Sequence, residues 1–304
     1  MSLGAANPVS TACFTVGTLI AESRRQLLAA GIESAAQEAV WLMEQALNLS
    51  GLRQILDHNR ELSKRETAEV LALLTRRLKR EPLQYLVGTQ EFCGLEFEVN
   101  PSVLIPRPET ELLVRETIRR LPRGQHPTLV DVGTGSGCLA VTLARSIPAG
   151  KMLAIDLSAS ALQTAKRNAD RHGVGSAIIW SEGDLLAPLA GRGLEGAVTV
   201  IVANPPYIRE AEWETLQPEV RLYEPRAALI AGPGGTELHE RLLNEAIPFL
   251  MPGGLLIMEL GQGQSAALCE MVESMSAYTS AEIVLDEAGI DRVLIVERAD
   301  HANG

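Results

Sequence analysis

Asn204-Pro205-Pro206-Tyr207 is an unusual sequence to follow the apolar run Val198 to Ala203, which reads as a buried strand. Each proline bars its predecessor from helical geometry, so Asn204 and Pro205 are held extended beyond the strand tip. The Asn204 side-chain oxygen and the Pro205 carbonyl can then accept hydrogen bonds at one spot, while Tyr207 stacks on a flat group held there. Such a spot suits a planar amide or aromatic amine that donates both N–H hydrogens, leaving its nitrogen fixed and its lone pair enriched for attack. A rigid turn around a buried asparagine is the plainer alternative. It loses ground because a second functional pattern lies upstream.

That pattern is Asp131-Val-Gly-Thr-Gly-Ser-Gly137, at the change from strand to helix, where Gly133, Gly135 and Gly137 let backbone approach a ligand closely. A nicotinamide fingerprint would place glycine where Cys138 stands, and a P-loop would need Gly-Lys-Ser/Thr, which is absent. Asp156 ends the next strand, 21 residues after Gly135, where its carboxylate can accept from ribose hydroxyls. A nucleoside without phosphates fits this set, and S-adenosylmethionine is such a ligand. Glu182-Gly-Asp184-Leu185 ends the third strand, with an acid and an apolar neighbour to hold adenine. The expected donor site is therefore Gly133, Thr134, Gly135, Ser136, Gly137, Asp156, Asp184, Leu185 and Asn204. Four cysteines without a C-x-x-C and five histidines without ligand spacing give neither a disulfide framework nor a metal site.

Positioning these residues takes an α/β framework. Strands are predicted near Thr128–Val132, Met152–Ile155, Ala177–Trp180, Val198–Ala203 and Leu255–Leu260, with helices such as Leu139–Ile147 and Ala159–His172 between them, so the sheet is parallel. Ala281–Leu285 and Arg292–Glu297 are joined by a short loop, which permits a last antiparallel strand. Upstream, residues 82–108 alternate Leu95, Phe97 and Val99 with Glu96, Glu98 and Asn100 between prolines, as a hairpin linker would. The first 81 residues read as a helical bundle. Ser34 with Gln37 and Ser63 with Glu66 look like capping boxes. Ala36, Val40, Met43 and Leu47 form one apolar face and Val70, Leu71, Leu74 and Leu78 another, and Gly31 and Gly51 act as stops.

The whole chain has 304 residues, 46% apolar and 21% charged, which suits two soluble domains and excludes disorder. No apolar run is long enough for a bilayer span, and the start lacks a signal peptide's regions, so the cytoplasm is the expected compartment. The net charge of −11 is uneven: residues 1–90 carry 10 Lys+Arg against 9 Asp+Glu, and residues 91–304 carry 17 against 29. So acidic a larger part argues against a long grip on nucleic acid. The basic run Arg76-Arg77-Leu78-Lys79-Arg80 fits the end of a helix better than a phosphate-binding patch.

Across nearly its whole length the sequence resembles the HemK/PrmC methyltransferases. The resemblance rests on Pro82, Gln84, Tyr85, Gly88, Phe92 and Gly94, the run Val103-Leu-Ile-Pro-Arg-Pro-Glu-Thr-Glu111, Asp131 to Gly137, Asn204 to Tyr207, Pro218-Glu-Val220 and Tyr223-Glu-Pro225. Cys93 stands where the family usually has tryptophan. The resemblance implies a Rossmann-like class I methyltransferase sheet at 109–300, a hairpin linker at 82–108 and an N-terminal substrate-recognition domain at 1–81. It also implies transfer from S-adenosylmethionine, leaving S-adenosylhomocysteine, to the glutamine amide of the Gly-Gly-Gln motif in peptide chain release factors. No metal is needed. Asn204, Pro205 and Tyr207 would act in catalysis, and Pro206, Phe92 and Arg107 would join them in holding the substrate. A monomer acting on a protein, without direct nucleic-acid or membrane binding, is expected. The competing readings are an amino-methyltransferase of adenine or guanine in nucleic acid, since adenine offers the same flat NH2, and a catalytically silent binding protein.

Overall fold

The structure, a computed structural model, describes residues 14–121, 126–148 and 150–300; Cys13 lies outside them. The chain divides into two compact units, Met1–Val87 and Gly88–Gly304, so the predicted 82–108 segment contributes to both.

The first unit holds α1 (Val16–Ala29), α2 (Ala35–Leu47), α3 (Gly51–Leu56), α4 (Lys64–Leu78) and α5 (Leu83–Val87). The capping box expected at α4 is formed: Ser63 Oγ accepts from the Glu66 N–H and Glu66 accepts from the Ser63 N–H. The one expected at Ser34 and Gln37 is not. Ser34 Oγ donates to Glu38 at 2.7 Å, and Glu38 is turned inward to a buried ion pair with Arg77 at 2.6 Å. This also rotates the apolar face of α2 by about one residue, to Ala35, Ala39, Leu42 and Met43, and leaves Ala36 exposed. Gly51 opens α3 rather than stopping a helix; left-handed Asn48 (φ 51°) ends α2. In α4, Val70 and Leu74 are buried and Leu71 and Leu78 pack beside them, as the spacing predicts. The basic run is used internally. Arg76 pairs with Glu81, Arg77 with Glu38, and Arg80 donates to the carbonyls of Ala30 and Gly31.

The second unit runs β1 (Thr89–Phe92), β2 (Leu95–Glu98), α6 (Glu111–Arg120), β3 (Thr128–Val132), α7 (Cys138–Ser146), β4 (Lys151–Asp156), α8 (Ala159–Arg171), β5 (Ile178–Glu182), β6 (Val198–Ala203), β7 (Ile208–Arg209), α9 (Pro218–Tyr223), β8 (Ile230–Gly232), α10 (Glu237–Ala246), β9 (Leu250–Glu259), α11 (Ser265–Glu273), β10 (Tyr278–Leu285) and β11 (Asp291–Arg298). Seven strands form one sheet in the order β10-β11-β9-β6-β3-β4-β5. Only β11 runs against its neighbours, as the short loop before it allowed.

Alternation along the strands sends Val130, Val132, Ile201 and Met258 to one face and Leu129, Met152, Val200 and Ile257 to the other, each face with its own core. The hairpin β1–β2 turns through Cys93 (φ 51°) and Gly94 (φ 72°), the left-handed pair that a two-residue turn requires. It is fastened to α8 within this unit. Asn168, fully buried, accepts from the Glu98 N–H at 2.7 Å and donates to the Glu98 carbonyl at 3.0 Å and to the Ser136 carbonyl at 2.8 Å.

Candidate functional site

Sheet register alone assembles the site. Met258 pairs with Ala203, Ala203 with Val132, Val132 with Ile155, and Ile155 with Ser181. One residue further, Glu259, Asn204, Gly133, Asp156 and Glu182 stand in a row at the carboxyl ends of five strands. Because β3 leads outward through β4 and β5 on one side while β6 returns on its other side, the middle of this row is the topological switch point where open α/β sheets bind ligands.

The glycine loop is held by its own side chains. Thr134 Oγ1 donates to Asp131 Oδ2 at 2.6 Å, the Ala140 N–H donates to the same oxygen at 3.1 Å, and the Ser136 carbonyl is taken by Asn168. Thr134 and Ser136, both predicted at the donor, are buried, so their side chains present little surface to a ligand. Gly137 (φ 81°) lies so close to α8 that a Cβ would come within 3.0 Å of Ala165 Cβ. At Gly133 a Cβ would meet open space, and at Gly135 nothing nearer than 3.9 Å, so the backbone between them is the accessible cradle. Burial pushes the Asp131 carboxyl up to about 7, and its Oδ1 has no hydrogen-bond partner.

Asp156 accepts from the Gly135 N–H and the Ser158 N–H, one to each oxygen and both at 2.8 Å. This aims the carboxylate and leaves each oxygen a lone pair for a vicinal diol. Burial raises its pKa, against the pull of those backbone donors. Asp184 is more exposed and pairs with Arg241 at 2.8 Å, so an amine held there shares it with a cation. Leu185 (φ 42°) packs against the core of that face.

At the asparagine the structure adds partners that the sequence did not suggest. Asn204 Nδ2 donates to Thr110 Oγ1 at 3.1 Å, Thr110 Oγ1 donates to Glu259 Oε2 at 2.6 Å, and Tyr207 Oη lies 3.4 Å from Glu259 Oε1. Glu259 is 1% exposed, and burial pushes its carboxyl up to about 7. Burial also holds the Tyr207 phenol above its usual range. Gln264 clamps the exit of the motif: its Nε2 donates to the carbonyls of Tyr207 and Gly235, and its Oε1 accepts from the Gly261 N–H. Thr110 was in view as part of a motif, without a role. Glu259 carried a signal of its own, a single carboxylate within the apolar strand Leu255 to Leu260.

Residues 18–88 match the family model of the PrmC N-terminal domain, and residues 109–220 that of the methyltransferase small domain. The release factor glutamine methyltransferase of Geobacter sulfurreducens is 42% identical over 281 residues, 92% of this chain and 96% of that protein. The chain belongs to the release factor glutamine methyltransferase family. Members from Chlorobaculum tepidum and Nitratidesulfovibrio vulgaris are 40% and 39% identical, covering 86% and 96% of this chain and 90% and 98% of their own. The expected Rossmann-like methyltransferase fold also recurs in a crystal structure of a methyltransferase from Pyrococcus furiosus, with a TM-score of 0.50, 20% identity and coverage of 74% of this chain and 99% of that one. Human methyltransferase 10 domain containing protein has a TM-score of 0.50 at 16% identity, over 68% of this chain and 90% of its own.

Within this family frame, of two residues expected at the substrate, Phe92 lies in the core, whereas Arg107 is near enough to Tyr207 for its charge to act on the phenol. Phe92 is 1% exposed and edge-on to Phe97 at 6.1 Å, a core residue beneath the hairpin that braces the fold rather than offering a surface. Arg107 is one-third exposed and donates to Glu224 at 2.5 Å, while Glu224 also accepts from the Ile105 N–H. That pair ties the Ile105-Pro-Arg-Pro-Glu-Thr run to the segment after Tyr207. Pro205 is buried, and Pro206 and Tyr207 are half-buried. No helix among the described residues is long and apolar enough to cross a membrane.

Proposed function

We propose that this chain transfers a methyl group from S-adenosylmethionine to the side-chain amide nitrogen of the glutamine in the Gly-Gly-Gln motif of peptide chain release factors, in the cytoplasm. The observation that carries the reading is the orientation of Asn204. Its NH2 donates one hydrogen to Thr110, and its Oδ1 remains an acceptor, next in the row to the open glycine cradle. An acceptor there, with the Pro205 carbonyl, matches the two hydrogens of a primary amide.

The residues present fit the donor. Gly133 and Gly135 leave backbone open, and Asp156 keeps lone pairs for two ribose hydroxyls. S-adenosylmethionine supplies, when bound, a methyl carbon made electrophilic by its cationic sulfur. The protein's part is positioning, since a neutral amide is a feeble nucleophile and orientation can supply several kcal/mol. Asn204 Oδ1 and the Pro205 carbonyl hold both N–H bonds, so the nitrogen lone pair faces the methyl. As the N–C bond would form and the donor's carbon–sulfur bond break, releasing the neutral thioether, positive charge would gather on nitrogen and the same acceptors would stabilise it. The extra proton leaves afterwards, and no strong base is required at the site.

The helical unit is the part we assign to recognition of the protein substrate. Among its described residues it carries no catalytic constellation, yet Leu52, Ile55 and Leu56 on α3 are 68%, 73% and 66% exposed, with Trp41 on α2 43% exposed. A transfer assay with isotopically labelled donor, run in parallel on a purified release factor, on the same factor with that glutamine changed to alanine, and on DNA and RNA, tests the function. Label should enter the unaltered factor alone. Label entering nucleic acid instead would overturn the reading in favour of an amino-methyltransferase of bases.

A further inference from the structure

A primary amide is nearly symmetrical in shape, so packing alone cannot hold Asn204 with its oxygen toward the substrate. Something must make the two ends unequal. Presented the wrong way round, Asn204 would set NH2 against NH2 and repel the group it is meant to hold.

We propose that Thr110 and Glu259 are positioning residues that fix which end of the Asn204 amide faces the substrate, through a one-way chain of donors running from Asn204 to Thr110 to Glu259. The inference rests on the function proposed above. A carboxylate has no hydrogen to give, so Thr110 must donate its single hydrogen to Glu259. The 2.6 Å separation is that of a hydroxyl on a charged acceptor. The Thr110 oxygen then has only lone pairs left, so Asn204 must present Nδ2 to it, as it does at 3.1 Å. Tyr207 Oη, close to the other carboxylate oxygen, adds a donor from the same motif. The chain works in one direction only while Glu259 is ionised. Protonated, Glu259 can donate to Thr110, Thr110 can donate to Asn204 Oδ1, and the amide turns over.

Glu259 is suited to such control because burial outweighs the groups that favour its charge and brings its carboxyl to about 7. Burial and Glu109 favour the protonated form; Arg292, Thr110 and Tyr207 favour the charged one, which leaves the carboxyl at about 7. His239, from α10, meets Glu259 at its backbone carbonyl, and burial holds the imidazole below its usual pKa. Arg292 is itself bound to Asp286, so its charge reaches Glu259 shared. Since the productive orientation needs the carboxylate, turnover should be lost as pH falls through about 7 and be full above it.

Two readouts on the full-length protein test this. The first needs no substrate: the Asn204 side-chain amide resonances should titrate near pH 7 in the wild type and stay flat in Glu259→Gln, which cannot ionise. The second is single-turnover methylation of release factor. Thr110→Val, matched in shape but without the hydroxyl, should lower the rate about 100-fold, the scale of a lost alignment, with donor affinity within twofold. Thr110→Ser should restore the rate to within about fivefold, a margin set by the looser fit of a side chain lacking the methyl. The rate profile of Glu259→Gln should lack the inflection near 7. Calorimetric donor binding shows that each variant is folded. A Thr110→Val rate near wild type, or amide resonances in the wild type that ignore pH, would overturn the proposal. If the amide titrates but release factor is not methylated, the donor chain stands and the proposed function fails.

Discussion

At the level of single residues, Asn204 gives its NH2 to a Thr110 hydroxyl whose own hydrogen goes to Glu259, and its oxygen is left to accept. Asn204 and Asp156 were readable because each follows an apolar strand, and a polar residue at that place is exposed to whatever the sheet binds. Glu259 also ends an apolar run, but its contact with Thr110 joins positions 149 apart, so neither the pairing nor a role for Thr110 left a local pattern. The distinction settles what Asn204→Asp should do. With Nδ2 committed to Thr110, an aspartate would set a second anion against a hydroxyl whose hydrogen already goes to Glu259. It should therefore be as inactive as Asn204→Ala, about 10² to 10³ below wild type in single-turnover rate with donor affinity kept. Aspartate activity above a tenth of wild type would mean that accepting is the whole role of the side chain. Asp156→Ala belongs to the donor side of the row. It should weaken S-adenosylmethionine binding by about 1.5 to 3 kcal/mol, because the diol loses a charged acceptor and the Gly135 and Ser158 N–H groups lose theirs. Calorimetry that finds donor affinity unchanged in a folded Asp156→Ala protein removes it from the site.

Among elements, boundaries set by local chemistry matched and those set by distant partners did not. The capping box at α4 needs only Ser63 and Glu66, and it is there. The one at α2 failed because Glu38 answers to Arg77, 39 positions away, and that demand turns the helix by about one residue. The hairpin shows the same limit: its alternation was legible, but its attachment was not. Asn168 satisfies both backbone groups of Glu98 and also holds the Ser136 carbonyl, so the hairpin and the glycine loop share one buried side chain. Asn168→Ala leaves a buried N–H and two carbonyls without their partner, at a cost of about 1 to 3 kcal/mol for each group that stays dry. The expected outcome is a melting temperature lowered by several degrees together with weaker donor binding, because the loop carrying Gly133 and Gly135 is freed. Lower stability with donor affinity intact would show that the hairpin is braced independently of the loop.

On the scale of the molecule, the charge asymmetry read from the sequence follows the two units. The larger is strongly acidic and holds the row of strand-tip residues, while the smaller is nearly neutral and its basic run makes internal pairs. That balance is the reverse of the many cationic contacts a nucleic-acid substrate draws on. The smaller unit instead exposes large aliphatic side chains on α3, where solvent contact gains nothing for folding. If that face recognises the protein substrate, Leu52→Ser with Ile55→Ser should act on recognition alone. Both side chains are exposed, so stability should change by no more than about 0.5 kcal/mol. Removing two aliphatic contacts from an interface costs on the order of 1 to 2 kcal/mol each when they are buried on binding, so KM for intact release factor should rise about tenfold or more. A short Gly-Gly-Gln peptide reaches only the reactive row, so its kcat/KM should not change. Equal losses on both substrates would place the effect at the site itself, and no loss on either would leave α3 outside the recognition surface.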